Sequence, residues 1–357
     1  MKHPQSFASV PMQTIGPIRI SGPVVDEEVL VPLATYESPL WPSTSRGALV
    51  SRHCGGIQTV IVHDCMTRSV LLEAPSAEYA YQSTAALKSF RGELEQVAAK
   101  TSRFLTLNDW HTQIVGNLIY IRFSMSTGDA SGHNMSTQAA EALLNWILQK
   151  FTKLSYVSIS GNYCTDKKVS SVNGILGRGK YAIAEGLISR DICQQYLKTT
   201  PEKIVNLHIK KNLIGTLLAG GVRTANAHFA NMLLGFYLAT GQDAANIIEG
   251  SQGIVHAEVK EDNLYFSVTL PNIIVGTVGS GKHLEFVKQN LALMGCLEER
   301  KPGQNAHRLA AIVAATVWCG EISLLAAQTN PGELMNSHLR LERMNKQPVV
   351  GEEKING

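Results

Sequence analysis

Residues 117–125, Asn117-Leu118-Ile119-Tyr120-Ile121-Arg122-Phe123-Ser124-Met125, lead into the loop Gly128-Asp129-Ala130-Ser131-Gly132-His133-Asn134. The first stretch is rich in β-branched and aromatic residues and predicts a strand. Beyond the loop, Ala140, Leu143, Leu144, Ile147, Leu148 and Phe151 fall at helical spacing. Strand, glycine-containing loop and helix follow one another, and residues 154–160 return as a strand. Such a unit aims backbone N–H groups and the positive end of a helix dipole at the loop, a favourable place for a phosphate. An ordinary strand-to-helix turn has the same pattern. The loop is not G-x-G-x-x-G, so a Rossmann domain is not supported.

Residues 57–63 predict another strand, which makes residues 66–156 a compact α+β insertion in a larger unit. Helices dominate after it. Residues 228–239 are apolar nearly all round and predict a buried helix, and residues 304–329 predict a long alanine-rich one. Residues 264–278 predict a β-hairpin or strand pair turning at Pro271-Asn272.

With 44% hydrophobic residues in 357, the chain suits about two domains, and 17% charged residues with a net charge of +3 argue against an electrostatic nucleic-acid binder. Cys54, Cys65, Cys164, Cys193, Cys296 and Cys319 contain no C-x-x-C pair. Neither a zinc site nor a disulfide framework is indicated, and reduced thiols in a cytoplasmic protein are expected. The longest strongly apolar stretch, residues 309–319, is shorter than the roughly 20 residues of a membrane helix, so no membrane partner is expected.

The segment Ser160-Gly161-Asn162-Tyr163-Cys164-Thr165-Asp166-Lys167-Lys168 places two ammonium groups directly after a strand. Asp166 is positioned to hold one of them as a fixed donor toward a developing oxyanion; a solvated loop is the alternative. Asp243, in Gly241-Gln242-Asp243-Ala244-Ala245, follows the apolar helix, and Glu37 lies in an otherwise uncharged stretch. Buried carboxylates of this kind suit general acid chemistry because desolvation raises their pKa, whereas exposed ones serve as caps.

These motifs, with Gly177-Arg178-Gly179-Lys180, Ala227-His228-Phe229-Ala230-Asn231, Gly276-Thr277-Val278-Gly279 and Ser337-His338, resemble the catalytic domain of class I hydroxymethylglutaryl-CoA reductases. The resemblance runs from about residue 15 to residue 338. It implies an α+β fold in which a large helix-rich substrate domain, residues 1–69 and 159–357, is interrupted by a small ferredoxin-like cofactor domain, residues 70–158. It also implies a homodimer or homotetramer with active sites between subunits, and reduction of 3-hydroxy-3-methylglutaryl-CoA to mevalonate and CoA by NADPH.

Residue by residue, the resemblance assigns catalysis to Glu37, Lys167, Asp243 and His338. Lys167 would meet the oxyanion, Asp243 would hold Lys167, Glu37 would be kept protonated by burial, and His338 would protonate the departing thiolate. Arg68, Ser160, Asp166, Lys168 and Lys211 match positions that bind the hydroxymethylglutaryl group. Ser43, Arg46, Lys198, His228 and Asn231 match CoA-contacting positions, Arg46 and Lys198 being able to meet phosphates. The cofactor would take Ser102, Arg103 and Phe104, the loop Asp129, Ser131, Gly132, His133, Asn134 and Met135, and Val278 with Gly279. Arg103 offers a bidentate partner for a 2′-phosphate, which favours NADPH over NADH.

The chain departs from the family pattern at Ser131 and His133, where methionines are usual, at Ser38, where glycine is usual, and at Ser45 and Leu49. These departures bear on affinity more than on reaction type. Two other readings stand beside this one: a catalytically silent acyl-CoA-binding homologue, and an unrelated acyl-CoA transferase using Cys164.

Overall fold

The computed structural model of the chain describes residues 8–333 together with Ser6, Met335 and Leu339. Its strands are β1 Met12–Ser21, β2 Glu27–Ala34, β3 Ile57–Glu73, β4 Thr106–Val115, β5 Leu118–Ser126, β6 Ser155–Ser158, β7 Gly179–Ile188, β8 Ile254–Lys260 and β9 Asn263–Ile273. Its helices are α1 Leu40–His53, α2 Ala77–Leu87, α3 Arg91–Ala99, α4 His133–Lys150, α5 Ser171–Leu176, α6 Arg190–Tyr196, α7 Pro201–Leu207, α8 Thr216–Leu218, α9 Phe229–Ala239, α10 Ile247–Gly250, α11 Glu285–Leu293 and α12 Gln304–Gln328. A π-helical segment, His208–Gly215, joins α7 to α8.

The long strand β3 belongs to two sheets. Residues 58–65 pair antiparallel with β7, in a sheet ordered β2-β1-β3-β7-β9-β8. Residues 66–73 pair antiparallel with β5, which pairs in turn with β4, while β6 takes the other edge of β3. The strand expected at residues 57–63 therefore runs on to Glu73. Its two halves face different cores: Ile57 packs in the larger apolar cluster, and Val70 and Leu72 pack in a second cluster bounded by Val70 and Leu154. The second unit reads β3-α2-α3-β4-β5-α4-β6, with α4 covering it through Ala140, Leu143, Leu144 and Ile147, as the helical spacing predicts.

The hairpin expected at Pro271-Asn272 lies elsewhere. β8 and β9 form it, turning at Glu261 and Asp262, whose φ angles of 47° and 71° suit a two-residue type I′ turn. Pro271 instead sits within β9 where the register with β7 shifts, a place at which its missing N–H costs no ladder bond. Its carbonyl accepts the Arg178 N–H at 3.1 Å.

Helix α12 is the centre of the larger core. It is long and apolar enough to cross a membrane, more so than the run 309–319 indicates, but 94% of its most apolar window is buried inside the fold. Close helix approach to it depends on glycine. A Cβ added to Gly47 of α1 would stand 2.1 Å from the Cys319 carbonyl oxygen of α12. Alanine ordinarily strengthens a helix interior relative to glycine by about 1 kcal/mol. At Gly47 the overlap is with backbone and cannot be relieved by a rotamer change. Gly47→Ala is therefore expected to destabilise the fold by roughly 1–3 kcal/mol, lowering the melting temperature by several degrees in a circular-dichroism melt. An unchanged or higher melting temperature would contradict the contact between α1 and α12.

Candidate active site

Between β6 and α5 the chain enters a loop in which Asn162, Thr165 and Lys167 adopt left-handed angles, with φ of 55°, 44° and 55°. Such conformations cost non-glycine residues on the order of 1–3 kcal/mol each. Side chains from outside the loop hold it. Tyr163 N–H donates to Ser69 Oγ at 3.0 Å, Asn173 Nδ2 donates to the Thr165 carbonyl at 3.1 Å, and Lys167 N–H donates to Glu249 Oε1 at 3.1 Å.

Glu249 and Arg178 anchor this arrangement. Their side chains are 0% and 1% exposed and pair at 2.8 Å. Asn246 Nδ2 adds a bond to Glu249 Oε1 at 2.9 Å, and the other Arg178 amino group reaches Asp166 at 3.0 Å. Burial raises the Glu249 pKa against the opposing charge of Arg178. Asp166 is held well below the usual carboxylate range, first by the His133 ring and, after the opposing effect of burial, by the charge of Arg178. The expectation that Asp166 holds one of the neighbouring lysines is thus corrected. A fixed guanidinium with several donors occupies its carboxylate, and the Lys168 ammonium meets only its backbone carbonyl.

Lys167 is held by Asp243, with Nζ 2.7 Å from Oδ2. That bond raises the Lys167 pKa, so the group remains an ammonium through the neutral range. Burial opposes ionisation of Asp243, but the bond from Lys167 prevails and its pKa falls. The end of α9 delivers this carboxylate. Gly241 turns the chain with φ of 62°, and Gln242 donates to the Gly276 carbonyl and accepts the Gly276 N–H. Residues near Gly276 are thereby tied beside Asp243.

These groups open onto a cavity of about 680 Å³ whose wall includes Arg68, Asp166, Lys167 and Asp243. Ser131, Gly132, His133, Asn134, Met135, Val278 and Gly279 line the same cavity. Arg68 Nε is buried there without a hydrogen-bond partner in the protein, and His133 Nε2 faces Asp166 Oδ1 at 3.7 Å. Helix α4 starts at this wall. Gly132 precedes it with φ of 95°, and its first turn carries neither an acidic residue nor a side-chain cap, leaving its leading N–H groups for a ligand.

Asp129 is the exception in the loop. Its carboxylate accepts the N–H groups of Gly303 and Ala306, both at 2.9 Å, and so caps α12. Its carbonyl accepts the Thr277 N–H at 2.8 Å. Asp129 therefore fastens the loop to the core and is not directed at a ligand.

Arg103 and Phe104 lie on a second cavity of about 560 Å³ with Asp64, Gly128 and His307. The Arg103 guanidinium stands 4.6 Å from the centre of the Phe104 ring, and no carboxylate of the described residues pairs with it. Ser102 Oγ accepts the Phe104 N–H and shapes this turn. Gly128 borders one cavity and Ala130 the other, so the loop stands between them.

The remaining candidates gather elsewhere. Glu37 is exposed, and its carboxylate accepts from Asn231 Nδ2 at 2.8 Å; it does not line the Lys167 cavity. The burial expected to keep Glu37 protonated is not supplied by this chain. His228 Nδ1 is 2.7 Å from the fully buried carboxylate of Glu321. Ser43 Oγ meets Ser323 Oγ at 3.0 Å. Arg46 pairs with Glu333 at 2.6 Å, which occupies the guanidinium expected to meet a phosphate. Lys211, whose pKa burial lowers, donates to Asn212. Lys198 is exposed, and Ser160 and Lys168 lie outside the cavity wall. His338 lies outside the described residues.

Arg178, Glu249, Gln242 and Glu321 received no role from the residues alone. Gly177 and Gly179 flank Arg178 with positive φ angles of 74° and 85°, so the Gly-Arg-Gly spacing was the available signal for a buried kink. Glu249 was a lone acid after Ile247 and Ile248.

The largely antiparallel sheets bring the lysine–aspartate pair and the loop at the start of α4 to one cavity, whose wall presents ammonium, guanidinium and backbone N–H groups. The hydroxymethylglutaryl-coenzyme A reductase family model matches residues 5–343, and the chain belongs to that family. It is 39% identical over 345 residues to a 3-hydroxy-3-methylglutaryl-coenzyme A reductase of Aeropyrum pernix, covering 96% of this chain and 82% of that one. It is 43% identical over 321 residues to the Pyrococcus abyssi enzyme of the same name, covering 89% and 78%. The fold is similar to a class II 3-hydroxy-3-methylglutaryl-CoA reductase from Streptococcus pneumoniae bound to NADPH, with a TM-score of 0.73 and 20% identity, covering 91% of this chain and 86% of that one.

Removing one partner of the buried pair tests the anchor. Arg178→Met would strand the Glu249 carboxylate and is expected to cost about 3–5 kcal/mol in urea unfolding. Adding Glu249→Gln to Arg178→Met should recover part of that loss. A further additive loss would show that the two side chains do not act as a pair.

Proposed function

We infer that the chain reduces 3-hydroxy-3-methylglutaryl-CoA to mevalonate and free CoA, with NADPH as the reductant. The Lys167 ammonium, fixed by Asp243 on the wall of a cavity that also holds the start of α4, carries this reading. The residues present suit the cofactor. The uncapped first turn of α4 offers N–H groups to phosphate, and Arg103, stacked on Phe104, offers a guanidinium to a 2′-phosphate.

When bound, the nicotinamide supplies hydride in each of two reductions. Lys167 donates to the oxygen on which charge develops, first at the thioester carbonyl and then at the aldehyde. Arg68, with a buried Nε lacking a protein partner, meets the free carboxylate of the hydroxymethylglutaryl group. Collapse of the first tetrahedral adduct breaks the C–S bond and releases CoA thiolate with mevaldehyde; His338 protonates the thiolate. Glu37 supplies the proton for the final alkoxide.

The distribution of these groups supports a site shared by two copies. Lys167, Asp243 and Arg68 lie on the cavity, whereas Glu37, Asn231 and His228 form a separate cluster of the same chain. We read the β3-α2-α3-β4-β5-α4-β6 unit, with its own apolar cluster, as a ferredoxin-like cofactor domain spanning about residues 70–158. All six cysteines are free and five are buried, which suits a reducing cytoplasm. The buried state of Cys164 gives no support to a cysteine nucleophile.

Purified protein with hydroxymethylglutaryl-CoA should consume NADPH; absence of consumption by folded protein would refute the activity. Lys167→Met should lower turnover about a hundredfold or more. Glu37→Gln and Lys167→Met, each inactive alone, should regain about a quarter of wild-type activity when refolded together as a statistical mixture of dimers. No recovery in demonstrably mixed dimers would place both groups in a site made by one chain. Arg103→Ala should raise the Michaelis constant for NADPH by roughly tenfold or more while barely changing that for NADH. Equal effects on the two cofactors would remove Arg103 from 2′-phosphate recognition.

A further inference from the structure

Lys282 follows Gly279-Ser280-Gly281 on the segment between β9 and α11. Gly279 and Gly281 take φ angles of 102° and 82°, turning this segment back against the end of α9. A Cβ on Gly281 would stand 2.7 Å from the Gly241 carbonyl oxygen, so only glycine admits this approach. The Lys282 ammonium donates to that same carbonyl and lines the Lys167 cavity.

Its situation differs from that of its cationic neighbours. Lys167 is matched by Asp243, and Arg178 by Glu249 and Asp166. Among the described residues, no carboxylate forms an ion pair with Lys282. An ammonium has three donors, and the protein engages one of them through a neutral oxygen.

We propose that Lys282 binds the diphosphate of the nicotinamide dinucleotide, completing an anion site with the first turn of α4. This rests on the reductase reading above. Val278, four residues before Lys282, forms a parallel bridge with Ala130 just ahead of α4, which brings the lysine's segment to the cofactor loop. A point charge beside uncapped helical N–H groups suits a diphosphate, whereas Arg68 is the better partner for a planar carboxylate.

Proton linkage gives a readout independent of catalysis. Burial alone pushes the Lys282 pKa down to about 8. The other ionisable groups on the cavity are Arg68, His133, Asp166, Lys167, Arg178 and Asp243, and His283 and Glu285 beside it in sequence are exposed. At pH 8 about half of the Lys282 side chains are neutral, and a bound diphosphate would draw them to the charged form.

Calorimetric titration of the intact protein with NADP⁺, in two buffers of different ionisation heat at pH 8, tests the assignment. The wild type should take up about half a proton per dinucleotide. Lys282→Met should bind NADP⁺ about tenfold or more weakly and lose this uptake, while its affinity for 3-hydroxy-3-methylglutarate stays unchanged. Lys282→Arg should restore most of the affinity without the uptake, because arginine does not titrate in this range. Unchanged affinity and uptake in Lys282→Met would overturn the proposal. So would equal weakening by Met and Arg, or proton uptake that follows 3-hydroxy-3-methylglutarate instead. Failure of the folded wild type to bind NADP⁺ would overturn the assignment of NADPH as the reductant together with it.

Discussion

The ion pair between Arg178 and Glu249 is the constraint on which the site depends. Burying two opposite charges is unfavourable unless the geometry is good and the remaining donors and acceptors are filled. Here Glu249 Oε1 takes Arg178, Asn246 and the Lys167 N–H, and Arg178 extends to Asp166, while Glu249 Oε2 and Arg178 Nε are buried without a partner in the protein, so the pair is only partly compensated. The pair therefore sets the backbone of the loop that presents Lys167, including its left-handed turn. Stability and chemistry meet at this point: the strain in the loop is offset by bonds that also fix the direction of the ammonium.

A second fastening acts through Asp129 and Gln242. Asp129 joins the loop ahead of α4 to the start of α12 and, through its carbonyl, to Thr277. Gln242 joins the end of α9 to Gly276. A Cβ on Gly276 would lie 2.4 Å from the Ser131 backbone nitrogen, so the two segments touch along their main chains. The cavity wall is consequently made from parts of the chain that are distant in sequence but rigidly joined, which is what preorganised stabilisation of charge requires.

Local pattern made part of this legible. The strand, loop and helix from residue 117 to 151 followed from side-chain period and glycine placement, and α12 from its alanine-rich run. The hairpin lies away from Pro271-Asn272, which carries usual turn residues, because the type I′ turn at Glu261-Asp262 lacks the Asn-Gly or Asp-Gly pair that ordinarily marks it. β3 was cut short because Asp64 interrupts its apolar pattern, yet Asp64 is neutralised across the sheet by Lys180, 3.5 Å away. The partners of Asp129 and Asp166 were beyond local reading. Asp129 caps a helix that begins far along the chain, and Arg178 reaches Asp166 only once β7 is paired with β3. The resemblance singled out Lys167 and Asp243, and the structure brings the two side chains into contact at 2.7 Å.

The separation of Glu37 from Lys167 has a chemical logic. An ammonium can stabilise an oxyanion only while its own counter-ion leaves a donor free, and one carboxylate, Asp243, already holds Lys167. A second ionised carboxylate beside it in the same chain would compete for the ammonium before substrate arrived. Placing Glu37 on another face, against the neutral amide of Asn231, avoids that competition in the isolated chain. On the shared-site reading proposed above, docking of a second copy would bring acid and cation together in a closed, less polar space. In such an assembly, association would bring the acid to a cavity that each chain already carries. The same chain would thus keep Lys167 charged through a local pair and receive its proton donor from the copy docked against it.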